Sequence, residues 1–159
     1  MQKDIDIIIY GATGFTGQLC VKYFKSLNTS VKWAIAGRNK EKLQQVAEDN
    51  SVDVEILIAD SDNEAELDVL TSRAKVMLST TGPFHRYGSK LVASCVKNCS
   101  HYVDITGENF WVKGIIAKHH EEASAKGIRI VPSCGYDSIP SDLGVFYSAK
   151  ALNKPIKRI

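Results

Sequence analysis

Residues 5–17 read Ile-Asp-Ile-Ile-Ile-Tyr-Gly-Ala-Thr-Gly-Phe-Thr-Gly, an apolar run that breaks into three glycines at Gly11, Gly14 and Gly17. Glycine at these places serves one chemistry. Gly11 turns the chain sharply off a strand, Gly14 lets backbone come close to a phosphate, and Gly17 lets the next helix pack against that strand. The N–H groups that open such a helix have no intrahelical partners, and the aligned peptide dipoles add positive potential, so the turn suits a dinucleotide pyrophosphate. Thr13, Phe15 and Thr16 share the turn and the first helical residues and belong to the candidate set. The spacing differs by one residue from the commonest dinucleotide fingerprint. Its context is the expected one, an apolar strand before it and an amphipathic helix after it.

Further candidates stand where later apolar runs end. After the second run comes Ala36-Gly37-Arg38-Asn39-Lys40, where NAD-specific sites place an acid for the ribose 2′-OH. Arginine takes that place here, and a guanidinium pairs with a 2′-phosphate and stacks on adenine, so Gly37, Arg38 and Asn39 point to NADP. Asp60 closes the third run, to accept from the adenine amino group or to cap the following helix. Thr80, Thr81, Gly82 and Pro83 follow the fourth run and suit backbone contact with the nicotinamide ribose, or form a plain loop. Asp104 and Glu108 after the fifth run, and Asp137 and Asp142 with Tyr136 after the sixth, gather carboxylates at strand ends. They are candidates for proton transfer or for holding a cationic substrate, and helix capping by Asp137, Ser141 or Glu108 accounts for them equally. Tyr87, Asp104 and Asp137 form the catalytic candidates.

These residues need a scaffold that brings strand ends together. Apolar runs at Ile5–Tyr10, Val31–Ala36, Val54–Ala59, Val76–Thr80, His101–Ile105 and Ile128–Pro132 predict six strands. Helical patterns alternate with them: one after Gly14 with Leu19, Cys20, Tyr23, Phe24 and Leu27 inward, then 40–49, 64–71, 87–98 with Leu91, Val92, Cys95 and Val96 inward, and 108–126. Single helices between strands imply right-handed crossovers and a parallel sheet covered on both faces. The fold class is therefore α/β, a doubly wound Rossmann fold. A last helix over 140–152 precedes a strand-like 156–159.

The chain has 159 residues, 44% of them hydrophobic, the size and composition of one globular unit. Twenty basic and 18 acidic side chains leave a charge of +2 without a basic block, so neither nucleic acid nor an anionic membrane is an expected partner. Asp4 and Asp6 interrupt the early apolar stretch, which lacks a signal-peptide layout, and no run has bilayer-spanning length. A cytoplasmic protein with reduced thiols is expected, and the Asn28 and Asn98 sequons are chance matches. No tyrosine has a lysine four residues on, which removes the Tyr-x-x-x-Lys mechanism of short-chain dehydrogenases, and no Gly-x-x-x-x-Gly-Lys-Ser/Thr occurs. Cys95, Cys99, His101, His119 and His120 lack metal-ligand spacing, so no metal site is expected.

Five segments in order resemble the saccharopine dehydrogenase-like oxidoreductases and the related trans-acting enoyl reductases. They are Gly-Ala-Thr-Gly-Phe-Thr-Gly at 11–17, Ala-Gly-Arg at 36–38, Thr-Gly-Pro-Phe with Tyr87-Gly88 at 81–88, Tyr-Val-Asp-Ile-Thr-Gly-Glu at 102–108 and Cys-Gly-Tyr-Asp-Ser-Ile-Pro-Ser-Asp at 134–142. The resemblance implies an NADP-binding Rossmann domain followed by a second α/β domain that supplies much of the substrate site. The domain expectation is then 1–153 for the Rossmann unit and 154–159 for the start of a second. Two functions follow: an oxidoreductase passing hydride between NADP(H) and a small or lipid-like substrate, or a non-catalytic NADP-binding module for redox sensing or scaffolding. The partners are the nucleotide and a small molecule, and a homo-oligomer is compatible with either reading.

Overall fold

The structure, a computed structural model, describes residues 3–152. The strand-like segment expected at 156–159 and the domain start expected at 154–159 lie outside the described residues. Strands β1 (Ile5–Tyr10), β2 (Trp33–Gly37), β3 (Glu55–Ile58), β4 (Ala74–Ser79), β5 (His101–Asp104) and β6 (Ile130–Val131) alternate with helices α1 (Phe15–Ser26), α2 (Lys40–Asp49), α3 (Glu64–Arg73), α4 (Phe84–Lys97) and α5 (Asn109–Ala125). The sheet runs β3-β2-β1-β4-β5-β6 with every pair parallel. The strand order reverses between β1 and β4, and that switch opens a crevice at their carboxyl ends.

Burial on both faces explains why β1 reads as a continuous apolar run and does not alternate. Ile9, Val21, Ile35, Leu43 and Val46 form the core under α1 and α2. Ile8, Leu67, Leu70, Met77, Leu91, Val92, Cys95 and Trp111 form the larger core on the other face, under α3, α4 and α5. Cys95 is fully enclosed there, and burial pushes its thiol up. Gly88 lets these helices meet closely, since a Cβ on it would lie 2.7 Å from the Trp111 ring.

Several expected boundaries and faces differ. Helix α1 packs through Gly17 and Val21, with Cys20 and Phe24 half-buried, whereas Leu19, Tyr23 and Leu27 are exposed. Gly17 draws the helix against the strand-end turn, and that rotates the inward row away from the most apolar one. Strands β3 and β6, at the sheet edges, are shorter than the apolar runs at 54–59 and 128–132, and β2 starts at Trp33 where Val31 was expected. Helix α4 begins at Phe84, three residues before the expected Tyr87, because a carboxylate from another segment takes up its first N–H groups. Helix α6 (Ile139–Leu152) follows β6 and buries none of its residues, leaving Leu143, Val145, Phe146, Tyr147 and Leu152 exposed. No described helix is long and apolar enough to cross a membrane.

Candidate functional site

The site grows from the end of β1. Gly11 has φ of +86°, and a Cβ on it would lie 2.4 Å from Thr81 Oγ1, so both backbone and neighbours require glycine. Gly11 N donates to Ala36 O at 2.9 Å and Gly14 N to Gly11 O at 3.0 Å, which closes the turn. From β4, Thr80 N donates to Tyr10 O at 2.9 Å, and Thr80 Oγ1 donates to Tyr10 O and Gly11 O, each at 3.2 Å. A Cβ on Gly17 would meet Gly11 O at 2.2 Å.

Gly14 differs from its two neighbours. Its φ is −76°, and the nearest atom to a Cβ there is Gly11 O at an ordinary 3.4 Å, so nothing inside the chain demands glycine. What the missing side chain leaves open is the space outside the helix start. No side chain caps α1 and no acid stands in its first turn; its first intrahelical bond is Gln18 N to Gly14 O, so the N–H groups of Phe15, Thr16 and Gly17 stay without helical partners. Such an end attracts an anion.

Around this turn lies a cleft of about 420 Å³. It gathers Gly11, Thr13 and Gly14 from the first loop, Gly37 and Arg38 from the end of β2, and Thr80, Thr81, Gly82 and Pro83 with Tyr87 from the β4–α4 connection. Arg38 is exposed and takes part in none of the ion pairs among the described residues. Thr81 Oγ1 is buried without a hydrogen-bond partner, a polar atom that a bound group can satisfy. Two lining residues escaped sequence reasoning, Tyr10 and Ser61. Each is adjacent to a residue that was chosen, Gly11 and Asp60. Tyr10 is 3% exposed, its hydroxyl donates to Ala59 O at 3.2 Å, and burial pushes its phenol far above the ordinary value.

Other expected residues stand elsewhere. Phe15 is 84% exposed and, with Thr16 and Gly17, lies outside the cleft lining. Asn39 caps α2, its Oδ1 accepting from Lys42 N at 2.8 Å. Asp60 neither lines the cleft nor caps α3: its Oδ1 accepts from Asp62 N at 2.9 Å within its own turn, and Asn63 is the cap.

The carboxylates divide sharply. Asp104 is 1% exposed; its Oδ1 accepts from Thr106 N at 3.0 Å and Ser133 N at 2.9 Å, and its Oδ2 from the Tyr102 hydroxyl at 2.8 Å. Burial pushes this carboxyl up against the pull of those donors. It ties β5 to the segment after β6 and faces protein. Glu108 holds the N-cap position of α5, yet its carboxylate serves α4, accepting from Phe84 N at 2.7 Å, His85 N at 2.8 Å and His85 Nδ1 at 2.6 Å. Partial burial works to raise it, but these donors outweigh that effect and hold it below the usual carboxylate range. Asp137 and Tyr136 are exposed in the turn before α6, outside the cleft.

A dinucleotide with a 2′-phosphate fits this arrangement. The uncapped α1 and bare Gly14 suit the pyrophosphate, the unpaired Arg38 suits the 2′-phosphate, and the Thr80–Pro83 loop suits the ribose beyond. Comparison with known proteins agrees. The sequence profile described as "Saccharopine dehydrogenase NADP binding domain" matches residues 7–131. A trans-acting enoyl reductase of Mycobacterium leprae is 39% identical over 148 residues, 91% of this chain and 35% of that protein. A saccharopine dehydrogenase-like oxidoreductase of Mus musculus is 38% identical over 167 residues, 96% of this chain and 39% of its own. The chain thus spans a little over a third of the length of these relatives. Among solved structures, apo saccharopine dehydrogenase (L-Glu forming) from Saccharomyces cerevisiae superposes with a TM-score of 0.72 at 16% identity, over 94% of this chain and 31% of that one, a likeness of fold. On sequence, fold and site together, the chain belongs to the family of the saccharopine dehydrogenase NADP-binding domain, and its cofactor is NADP.

Proposed function

We propose that this domain holds NADP(H) for hydride exchange with a small or lipid-like substrate, with Arg38 on the 2′-phosphate, the Gly11–Gly17 turn on the pyrophosphate, and Thr80 to Pro83 along the nicotinamide ribose. When bound, NADPH supplies two electrons and a hydrogen as hydride. The chain's own part is to orient the dinucleotide and to arrange charge around the nicotinamide. Tyr87, the single catalytic candidate in the cleft lining, flanks that end, and the Arg86 guanidinium lies 5.3 Å from its ring centroid. Asp137 is assigned to the substrate side, where it stays accessible, and Asp104 to holding the strand ends in place.

Gly14 carries this reading, because it lines the cleft at the N-terminus of α1, where no side chain caps the free N–H groups and no Cβ stands between them and a ligand. The test is a calorimetric titration of Gly14→Val with NADPH. A Cβ at this surface turn disturbs no core residue, so the variant is expected to fold, with an unchanged circular dichroism spectrum, and to lose NADPH binding. Retained affinity in a folded variant places the phosphates elsewhere. Turnover is checked in the complete polypeptide that carries this domain, as NADPH consumption with carbonyl, imine and enoyl compounds. Binding without consumption across that series favours a redox-sensing or scaffold module.

A further inference from the structure

We propose that His85 donates the proton that accompanies substrate reduction, with Glu108 as its positioning residue; this rests on the oxidoreductase reading above. His85 lies in the first turn of α4, directly after β4, and Glu108 stands at the start of α5, directly after β5. Both therefore sit over the carboxyl ends of the two strands on the opposite side of the β1/β4 switch from Arg38, the half of the crevice that the nicotinamide end of a dinucleotide reaches.

The geometry around His85 is built. Glu108 is gripped by the backbone N–H groups of Phe84 and His85 at 2.7 and 2.8 Å, so its carboxylate cannot turn away, and its Oε2 lies 2.6 Å from His85 Nδ1. An ionised carboxylate only accepts, so Nδ1 carries a hydrogen and the neutral ring keeps its lone pair at Nε2. The ring also leans on Phe110, with centroids 5.6 Å apart. A carboxylate that orients an imidazole through Nδ1 is the arrangement that proton-transferring histidines use. Half of the His85 side chain (52%) is exposed, beside the cleft-lining Pro83 and Tyr87 and outside the lining itself, so the ring is accessible from solvent. Among the other candidates, Asp104 is enclosed with three donors and Tyr87 has no carboxylate partner.

The step balances. Reducing a C=O, C=N or conjugated C=C bond adds one hydride and one proton. The hydride comes from NADPH, which leaves as NADP⁺; the proton leaves the imidazolium at Nε2 as the N–H bond breaks and the O–H, N–H or C–H bond of the product forms. Water then returns a proton to the neutral ring.

The experiment uses the complete polypeptide as wild type, His85→Ala, His85→Gln and Glu108→Gln. Turnover is followed with phenanthrenequinone and with the crotonyl thioester of N-acetylcysteamine. His85→Ala is expected to lose about a hundredfold or more of kcat, with NADPH affinity within about twofold of wild type by calorimetry, and free imidazole is expected to restore part of the rate. A readout independent of turnover is the side-chain ¹⁵N spectrum of His85, expected to report a hydrogen-bearing Nδ1 in wild type and a change toward the opposite tautomer in Glu108→Gln. Unchanged kcat in folded His85→Ala, loss without imidazole rescue, or a His85 tautomer indifferent to Glu108→Gln overturns the proposal. Tight NADPH binding with no reduction of either probe by wild type also overturns it and leaves the cofactor reading standing; failure to bind NADPH overturns both.

Discussion

Arg38 can act on cofactor choice because no carboxylate among the described residues competes for it. Arg38→Ala is expected to weaken NADPH by roughly 1.5–3 kcal/mol, the range for hydrogen bonds to a charged group, and to leave NADH nearly unchanged. Equal losses for the two cofactors in parallel titrations would remove its assigned role. Asp104 sets the opposite case, a carboxylate whose worth is structural. Asp104→Asn keeps an oxygen for Thr106 N and Ser133 N and can turn its amide toward the Tyr102 oxygen, so the folded state is expected to survive. Asp104→Ala strands buried donors and is expected to lose at least ~2 kcal/mol in chemical denaturation. The raised pKa gives a sign: Asp104 contributes most below the ordinary carboxyl range, and its contribution falls as pH rises through the elevated folded value. The asparagine variant should therefore gain on wild type as pH rises through that window. The turn at Gly11 and the place of Gly14 and Arg38 at strand ends were legible from sequence because they depend on local pattern. The hydrogen-bonded settings of Asp104 and His85 were not, because their partners Ser133 and Glu108 lie 29 and 23 residues away.

At the level of elements, the same long-range exchange explains what local pattern gets wrong. Periodicity located the helices, and an apolar sheet bounded by them was readable; the start of α4 was not, since the carboxylate that receives its first N–H groups belongs to the N-terminus of α5. The inward row of α1 was missed because the close approach at Gly17 outranks the number of apolar side chains on a face. Gly17→Ala is expected to destabilise by about 1–3 kcal/mol, the usual overpacking penalty, as its methyl would press on Gly11 O; a thermal midpoint equal to wild type would show that α1 can slide. Glu108 links two helices through a carboxylate whose folded pKa lies below the usual range. Its stabilisation is therefore present above the ordinary carboxyl range and lost as pH falls through the lowered value. The midpoint gap between wild type and Glu108→Gln should be widest near neutral pH and close in acid, as melting curves across pH would reveal.

For the molecule as a whole, a six-stranded sheet and two cores lie within the described residues, while the relatives are more than twice as long as the matched region. Residues 1–159 alone are expected to bind NADPH but not to consume it at the rate of the longer protein, since hydride transfer benefits from a closed, water-free site. Steady consumption at the full rate by this chain would refute that. Helix α6 adds a thermodynamic consequence. A 14-residue helix that buries nothing is held by its own backbone bonds, and helices of that length are marginal in water. Its opening free energy is then uncoupled from that of the sheet, so the domain comprises two cooperative units of very different depth. Amide hydrogens of 139–152 should exchange orders of magnitude faster than those of β1 and β4, and whatever surface later covers Phe146 and Tyr147 must supply the ordering of α6 as part of its own association energy.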